Sequence, residues 1–129
     1  IAPLFLNIAT DQQALKVAYI IEKEFLTEYG LITTLKNTTQ PWDSTNGWAL
    51  LQFEEVIGLN IYSLDTLAKT IATRIINTVY STFKQTGKIR DTYDVIIPTQ
   101  KSGGGEYIVK DGFGWKNGVC KSCIQKQNV

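Results

Sequence analysis

Among its 129 residues the chain has no histidine and no methionine, only two cysteines and only three prolines. Each shortage excludes something. Without His the commonest general base and the commonest metal ligand are missing, so acid–base chemistry near neutral pH rests mainly on carboxylates. The two cysteines, Cys120 and Cys123, are spaced C-x-x-C. A zinc site would need two more ligands, and neither a second Cys pair nor a His supplies them. A thioredoxin-like motif should follow a strand in a βαβ unit, and none is visible. The pair therefore reads as two cysteines on neighbouring turns of a terminal helix.

An excess of charge of one sign is also absent. Thirteen Lys and Arg stand against twelve Asp and Glu, for a formal net charge of +1. That leaves no electrostatic case for nucleic acid or an anionic membrane. Apolar runs such as Val17 to Ile21 fall far short of the roughly 18 to 20 residues that a membrane-spanning helix requires. No basic segment precedes an apolar one at the start. The pattern opens mid-course at Ile1, as expected of a piece cut from something longer, so compartment stays open.

What is present is ordinary for a soluble globular domain: 43% hydrophobic and 19% charged residues. The periodicity predicts a helix from Asp11 to about Glu28. Thr10 serves as its N-cap, Gln13 completes a capping box and Gly30 ends it. Its apolar face is expected to hold Ala14, Leu15, Ala18, Ile21, Phe25 and Leu26. A short helix follows from near Gly47 to Leu59. Ser63 then caps the strongest helix, whose apolar stripe runs from Leu64 to Phe83, with Asp65 near its start and Gly87 as its C-cap. A last helix begins around Phe113 or Gly114. No period-2 alternation demands a sheet. Two long loops, 33–47 and 88–111, separate the helices. Long loops at alternate connections fit an all-α toroid of helical hairpins around a pocket, and four helices would be part of one.

Three constellations carry chemistry. The first spans Gln40 to Gln52 and sets Trp42 and Trp48 around Asp43 and Asn46. Indole faces stack on the C–H surface of a pyranose while Asp and Asn bind its hydroxyls. The same residues could equally be two core tryptophans closing a loop. The second is Gly103-Gly104-Gly105-Glu106-Tyr107 with Asp111-Gly112-Phe113-Gly114-Trp115-Lys116-Asn117-Gly118-Val119. Such glycines let backbone approach a ligand, although a surface loop has the same look. The Gly-Lys-Ser/Thr ending of a phosphate-binding loop is missing. The third is Lys88 to Val95, in which Asp91 and Asp94 are candidate catalytic carboxylates or solvated ones.

In this order and spacing the three resemble the trehalase family of glycoside hydrolases. Residues 103–107 and 111–119 reproduce its glycine-rich signature, with Lys116 in place of Thr. Residues 40–50 are similar to its Gln-Trp-Asp-x-Pro-x-Gly/Ala-Trp-Ala/Pro-Pro signature, and Asp91-Thr92-Tyr93-Asp94-Val95 to its Glu-Lys-Tyr-Asp-Val.

The resemblance implies the C-terminal part, 1–129, of one catalytic domain. Its fold would be a partial (α/α)6 toroid, comprising the C-terminal helical hairpins with long pocket-forming loops. It implies hydrolysis of trehalose to two glucoses with inversion, by a general acid and a general base. The base position falls on Asp91, where the family has Glu. The acid lies in the upstream remainder of the domain, so the fragment alone would be inactive. Glu106, Trp42, Asp43, Asn46, Trp48, Phe113 and Trp115 would bind substrate, with no metal or organic cofactor. Thr45 and Leu50 depart from two family prolines and Pro41 from its Gln. With Asp91 they admit a non-catalytic, carbohydrate-binding relative.

Overall fold

The computed structural model describes residues 2–38, 40, 42–99 and 114–127. Helices dominate: α1 (Ala2–Phe5), α2 (Asp11–Ile20), α3 (Ala49–Ile61), α4 (Asp65–Thr86) and α5 (Gly114–Gln127). Two small antiparallel ladders sit among them, β1 (Leu26–Thr27) with β2 (Gly30–Leu31) and β3 (Asn46–Trp48) with β4 (Thr92–Asp94). The central pair is α3 and α4, with α1 on α3 and α5 against both.

α2 starts as its sequence predicts. The Thr10 hydroxyl accepts from Gln13 N and the Gln13 side chain accepts from Thr10 N, at 3.3 and 2.8 Å. It does not run to Glu28. The coil widens into a π turn at Ile21–Phe25 and opens into β1. Long-range bonds take over from the local pattern there. Arg74 Nη1 donates to the Thr27 carbonyl at 2.6 Å, and the Thr27 hydroxyl donates to the carbonyls of Gly30 and Val95. Gly30 is then no helix cap. It lies in β2 at φ +144°, a conformation reserved for glycine. Of the expected apolar face, Ala14, Ala18 and Ile21 are buried, whereas Leu15 is exposed.

α3 and α4 form where expected, but Ser63 has a different job. It takes φ +57° and closes α3 rather than capping α4. Ser63 N bonds the Asn60 carbonyl at 3.1 Å and Leu64 N bonds the Leu59 carbonyl at 2.9 Å, the paired contacts of a Schellman motif. Leu64 is the N-cap of α4 and gives no side-chain bond. At the far end Gly87 adopts φ +68° and its N–H reaches the Phe83 carbonyl at 2.7 Å, the left-handed cap that its position implies. The α4 stripe buries Ala68, Ile71, Ala72, Ile75, Thr78 and Val79, while Tyr80 and Phe83 stay exposed.

The core where α1, α3 and α4 meet contains Leu4, Val56, Leu59, Ala68 and Ile71. Gly58 allows this approach, since a Cβ there would lie 2.9 Å from Leu4 Cβ and 3.0 Å from Phe5 N. A smaller cluster of Ile75, Val79, Tyr93 and Val95 joins α4 to β4. All three residues of β3 and all three of β4 are buried, so neither strand shows the alternation by which a half-exposed strand is recognised. Both cysteines ride on α5, and their side chains fall outside the described residues. Among the described residues no helix is long and apolar enough to cross a membrane.

Candidate active site

The β3–β4 ladder assembles the candidate residues. Asn46 faces Asp94, Gly47 faces Tyr93 and Trp48 faces Thr92. The pairing continues one step further, where Ala49 N donates to the Asp91 carbonyl at 3.3 Å. Asp91 is thereby held beside the Trp48–Ala49 backbone, and its own side chain is 3% exposed. Asp94 is committed differently. Its Oδ1 accepts from Ile96 N at 2.9 Å and Ile97 N at 2.7 Å, a local turn that bends the chain after β4.

The two tryptophans stack on each other, with centroids 4.0 Å apart and planes 8° from parallel. Trp48 is buried and Trp42 is about half exposed, at 53%. They are therefore not a pair of core side chains. One indole is a floor, and the other lies over it with much of its surface in solvent, so an aromatic platform remains for an apolar sugar face.

Asp43 braces the loop that carries Trp42. Its Oδ2 accepts from Thr38 N, from the Thr38 hydroxyl at 2.8 Å and from Gln40 N at 2.9 Å. The Gln40 N–H first, then the Thr38 hydroxyl and N–H, hold its carboxyl below the usual carboxylate range against the opposing effect of burial. Asn46 is buried, and its carbonyl accepts from both the hydroxyl and the N–H of Thr33, at 2.6 and 3.1 Å. The loop turns at Thr45, where the family pattern has proline. Thr45 has φ +85°, a strained conformation for a β-branched residue.

Behind the ladder lies a node that pattern reading did not single out. The Gln52 side chain donates to the Leu31 carbonyl at 2.7 Å and accepts from Leu31 N at 3.0 Å. The signal was a polar residue among the buried positions of α3. An apolar cavity of about 220 Å³ lies nearby, between the π turn, Ile32 and Trp48. Its lining offers little to sugar hydroxyls. Glu55 was missed as well. It is fully buried on α3, and neither carboxylate oxygen has a hydrogen bond from the described residues. Burial pushes its carboxyl up to about 7.

Trp42, Asp43, Asn46, Trp48 and Asp91 thus fall in one cluster. Glu106 and Phe113 lie outside the described residues, as does the side chain of Trp115 at the start of α5. Among the described residues no group of His, Cys, Asp and Glu could hold a metal ion.

The family model described as Trehalase matches residues 1–128. The chain is 43% identical over 117 residues to a periplasmic trehalase of Xanthomonas axonopodis pv. citri, covering 91% of this chain and 21% of that protein. A periplasmic trehalase of Pseudomonas aeruginosa is 40% identical over 117 residues, with 91% and 22% covered. The chain thus spans about a fifth of the length of the curated relatives it matches. Among solved structures, the neutral trehalase Nth1 of Saccharomyces cerevisiae superposes with a TM-score of 0.76 at 23% identity, over 95% of this chain and 22% of that one. The all-α architecture is therefore part of a trehalase (α/α)6 toroid. From motif, fold and relatives together, the chain belongs to the trehalase family.

Proposed function

We propose that the protein containing this chain hydrolyses trehalose to two glucose molecules with inversion, and that residues 1–129 are the C-terminal part of its single catalytic domain. Asp91 is the general base, taking a proton from the water that attacks the anomeric carbon. A carboxylic acid from the remainder of the domain protonates the departing glycosidic oxygen. Inversion requires the two carboxyl groups to stand about 6.5 to 9.5 Å apart, which leaves room for that water. Because the acid comes from elsewhere, the 129 residues by themselves do not turn over substrate.

The observation that carries this reading is the pairing of the Asp91 segment with the strand bearing Trp48, whose indole stacks on that of Trp42. Asp94 spends an oxygen on its own backbone turn, which favours Asp91 as the base. Trp42, Trp48, Asp43 and Asn46, with Glu106, Phe113 and Trp115, form this chain's share of the sugar pocket. Asp43 contributes mainly by holding Trp42 in place.

The test is Asp91→Asn in the full-length protein. General-base loss lowers glucose release by about 10²- to 10⁴-fold. Wild-type turnover in that variant would remove Asp91 from the role. Asp91→Glu, which restores the family's residue, keeps or raises activity. The departures at Asp91, Thr45 and Leu50 favour one rival, a carbohydrate-binding relative without hydrolysis. Calorimetric binding of trehalose by full-length protein, with no glucose released, would establish the rival and overturn the enzyme.

A further inference from the structure

Three segments bear on the candidate site: the loop ending in β3, the strand continuing from Asp91 through Val95, and the β1–β2 hairpin beneath both. They touch at one place. A Cβ on Gly47 would lie 2.6 Å from Val95 Cγ1, 2.9 Å from the Leu31 carbonyl oxygen and 3.0 Å from Gln52 Nε2. A Cβ on Gly30 would lie 3.2 Å from Val95 Cγ1 and 3.3 Å from Gln52 Oε1. Val95 is completely buried, its N–H bonds the Thr45 carbonyl at 2.7 Å, and its carbonyl takes the Thr27 hydroxyl. A side-chain amide enters this knot from Gln52. It spans both backbone groups of Leu31, and it is 2% exposed.

Resting on the trehalase reading above, we propose that Gln52 is a positioning residue. Its amide locks the Gly30–Leu31 backbone into a rigid floor, Val95 and Gly47 seat against that floor, and the seating sets where Asp91 lies relative to Trp48. Gln52 itself does not reach the reacting atoms. Its effect is geometric. A buried donor and acceptor pair on one backbone residue is poorly replaced, because losing the amide leaves both Leu31 groups without partners in a dry environment. The chain relieves that by shifting Leu31, and the shift passes to Val95, which has no slack against Gly47.

The experiment measures trehalose hydrolysis by the full-length protein carrying Gln52→Met, a volume-conserving change without an amide. A base displaced by about 1 Å costs on the order of a hundredfold. The expected result is a kcat reduced by roughly 10- to 100-fold per folded molecule, with KM within about threefold of wild type. Gly47→Ala acts on the same contact, so the double variant loses no more than the worse single one. If Gln52→Met does not fold, Gln52→Asn replaces it, keeping an amide but withdrawing it by one methylene. Wild-type kcat in either folded variant overturns the proposal, as does a fall explained by the folded fraction alone. An active wild type with an indifferent Gln52 overturns only the positioning role. A wild type that releases no glucose overturns the trehalase reading, and the positioning role falls with it.

Discussion

The two ends of this molecule are held together by different physics. Where α1, α3 and α4 meet, the contacts are apolar side chains such as Leu4, Val56, Leu59 and Ile71, all nearly or fully buried. At the end bearing the candidate site, side chains grip the backbone instead. Gln52 holds Leu31, Thr33 holds Asn46, Thr78 and Arg74 hold Tyr29 and Thr27, and Asp43 holds Thr38 and Gln40. Apolar packing asks for volume and accepts any residue that fills it. Side-chain grips on backbone ask for one donor or acceptor at one point, and they leave donor and acceptor orphaned when it goes. Loops can thus be placed to within a bond length without a regular element to carry them.

Glu55 breaks this division, because it is a carboxyl in the apolar end. Its folded-state value is raised from 4.5 to about 7 by burial. Below 4.5 both folded and unfolded chains carry the proton, and stability is at its fullest. As pH climbs the unfolded chain ionises first, so stability falls across the window from 4.5 to about 7 and is flat above it. At about 1.4 kcal/mol per unit, the loss is about 3 kcal/mol. Urea unfolding of full-length Glu55→Gln as a function of pH should show that slope removed. An unchanged slope would mean another group is responsible.

The same substitution made at both ends comes next in size. Gly47→Ala drives a methyl into Val95 and the Leu31 carbonyl, with no helix to benefit, and costs about 2 kcal/mol along with activity. Gly58→Ala meets Leu4 and Phe5 about as closely but lies within α3, where Ala is better than Gly by about 1 kcal/mol. Its net cost is about 1 kcal/mol, and kcat is untouched. Equal melting shifts for the two variants would dissolve the distinction between the ends.

The last expected effect, at Thr45, is of similar size and opposite sign. Its φ of +85° suits glycine and strains a β-branched residue, so Thr45→Gly is expected to gain about 1 kcal/mol. A thermal melt moving downward would mean that the Thr45 side chain contributes more than the strain costs.

Some of this was legible in advance. The capping box at Thr10 and Gln13, the span of α4, the αL cap at Gly87 and the beginning of α5 are local events, set by residues within a turn or two of one another. The break in α2 was not legible, because Thr27 and Arg74 that open it are 47 residues apart. Ser63 deceived for a related reason. A Ser before an apolar run fits an N-cap, but the sharp turn between α3 and α4 needs a left-handed residue more than it needs a hydroxyl. Tyr80 and Phe83 fit the α4 period, yet both stay about half exposed.

The site divides in the same way. Motif spacing alone brought Trp42, Asp43, Asn46, Trp48 and Asp91 forward as candidates, and alone it identified the family, since signatures record residue types at fixed separations. It put the base on Asp91 through the family's Glu, but it could not separate the buried indole from the exposed one or single out Gln52. Those distinctions depend on the register of β3 against β4 and on which backbone groups lie opposite a side chain. Such pairings join positions 21 to 68 residues apart, as at Gln52 and Thr27, beyond the reach of any local pattern. Short-range preference decided which residues are here and where the helices begin. Long-range contact decided where each side chain lies and what it touches.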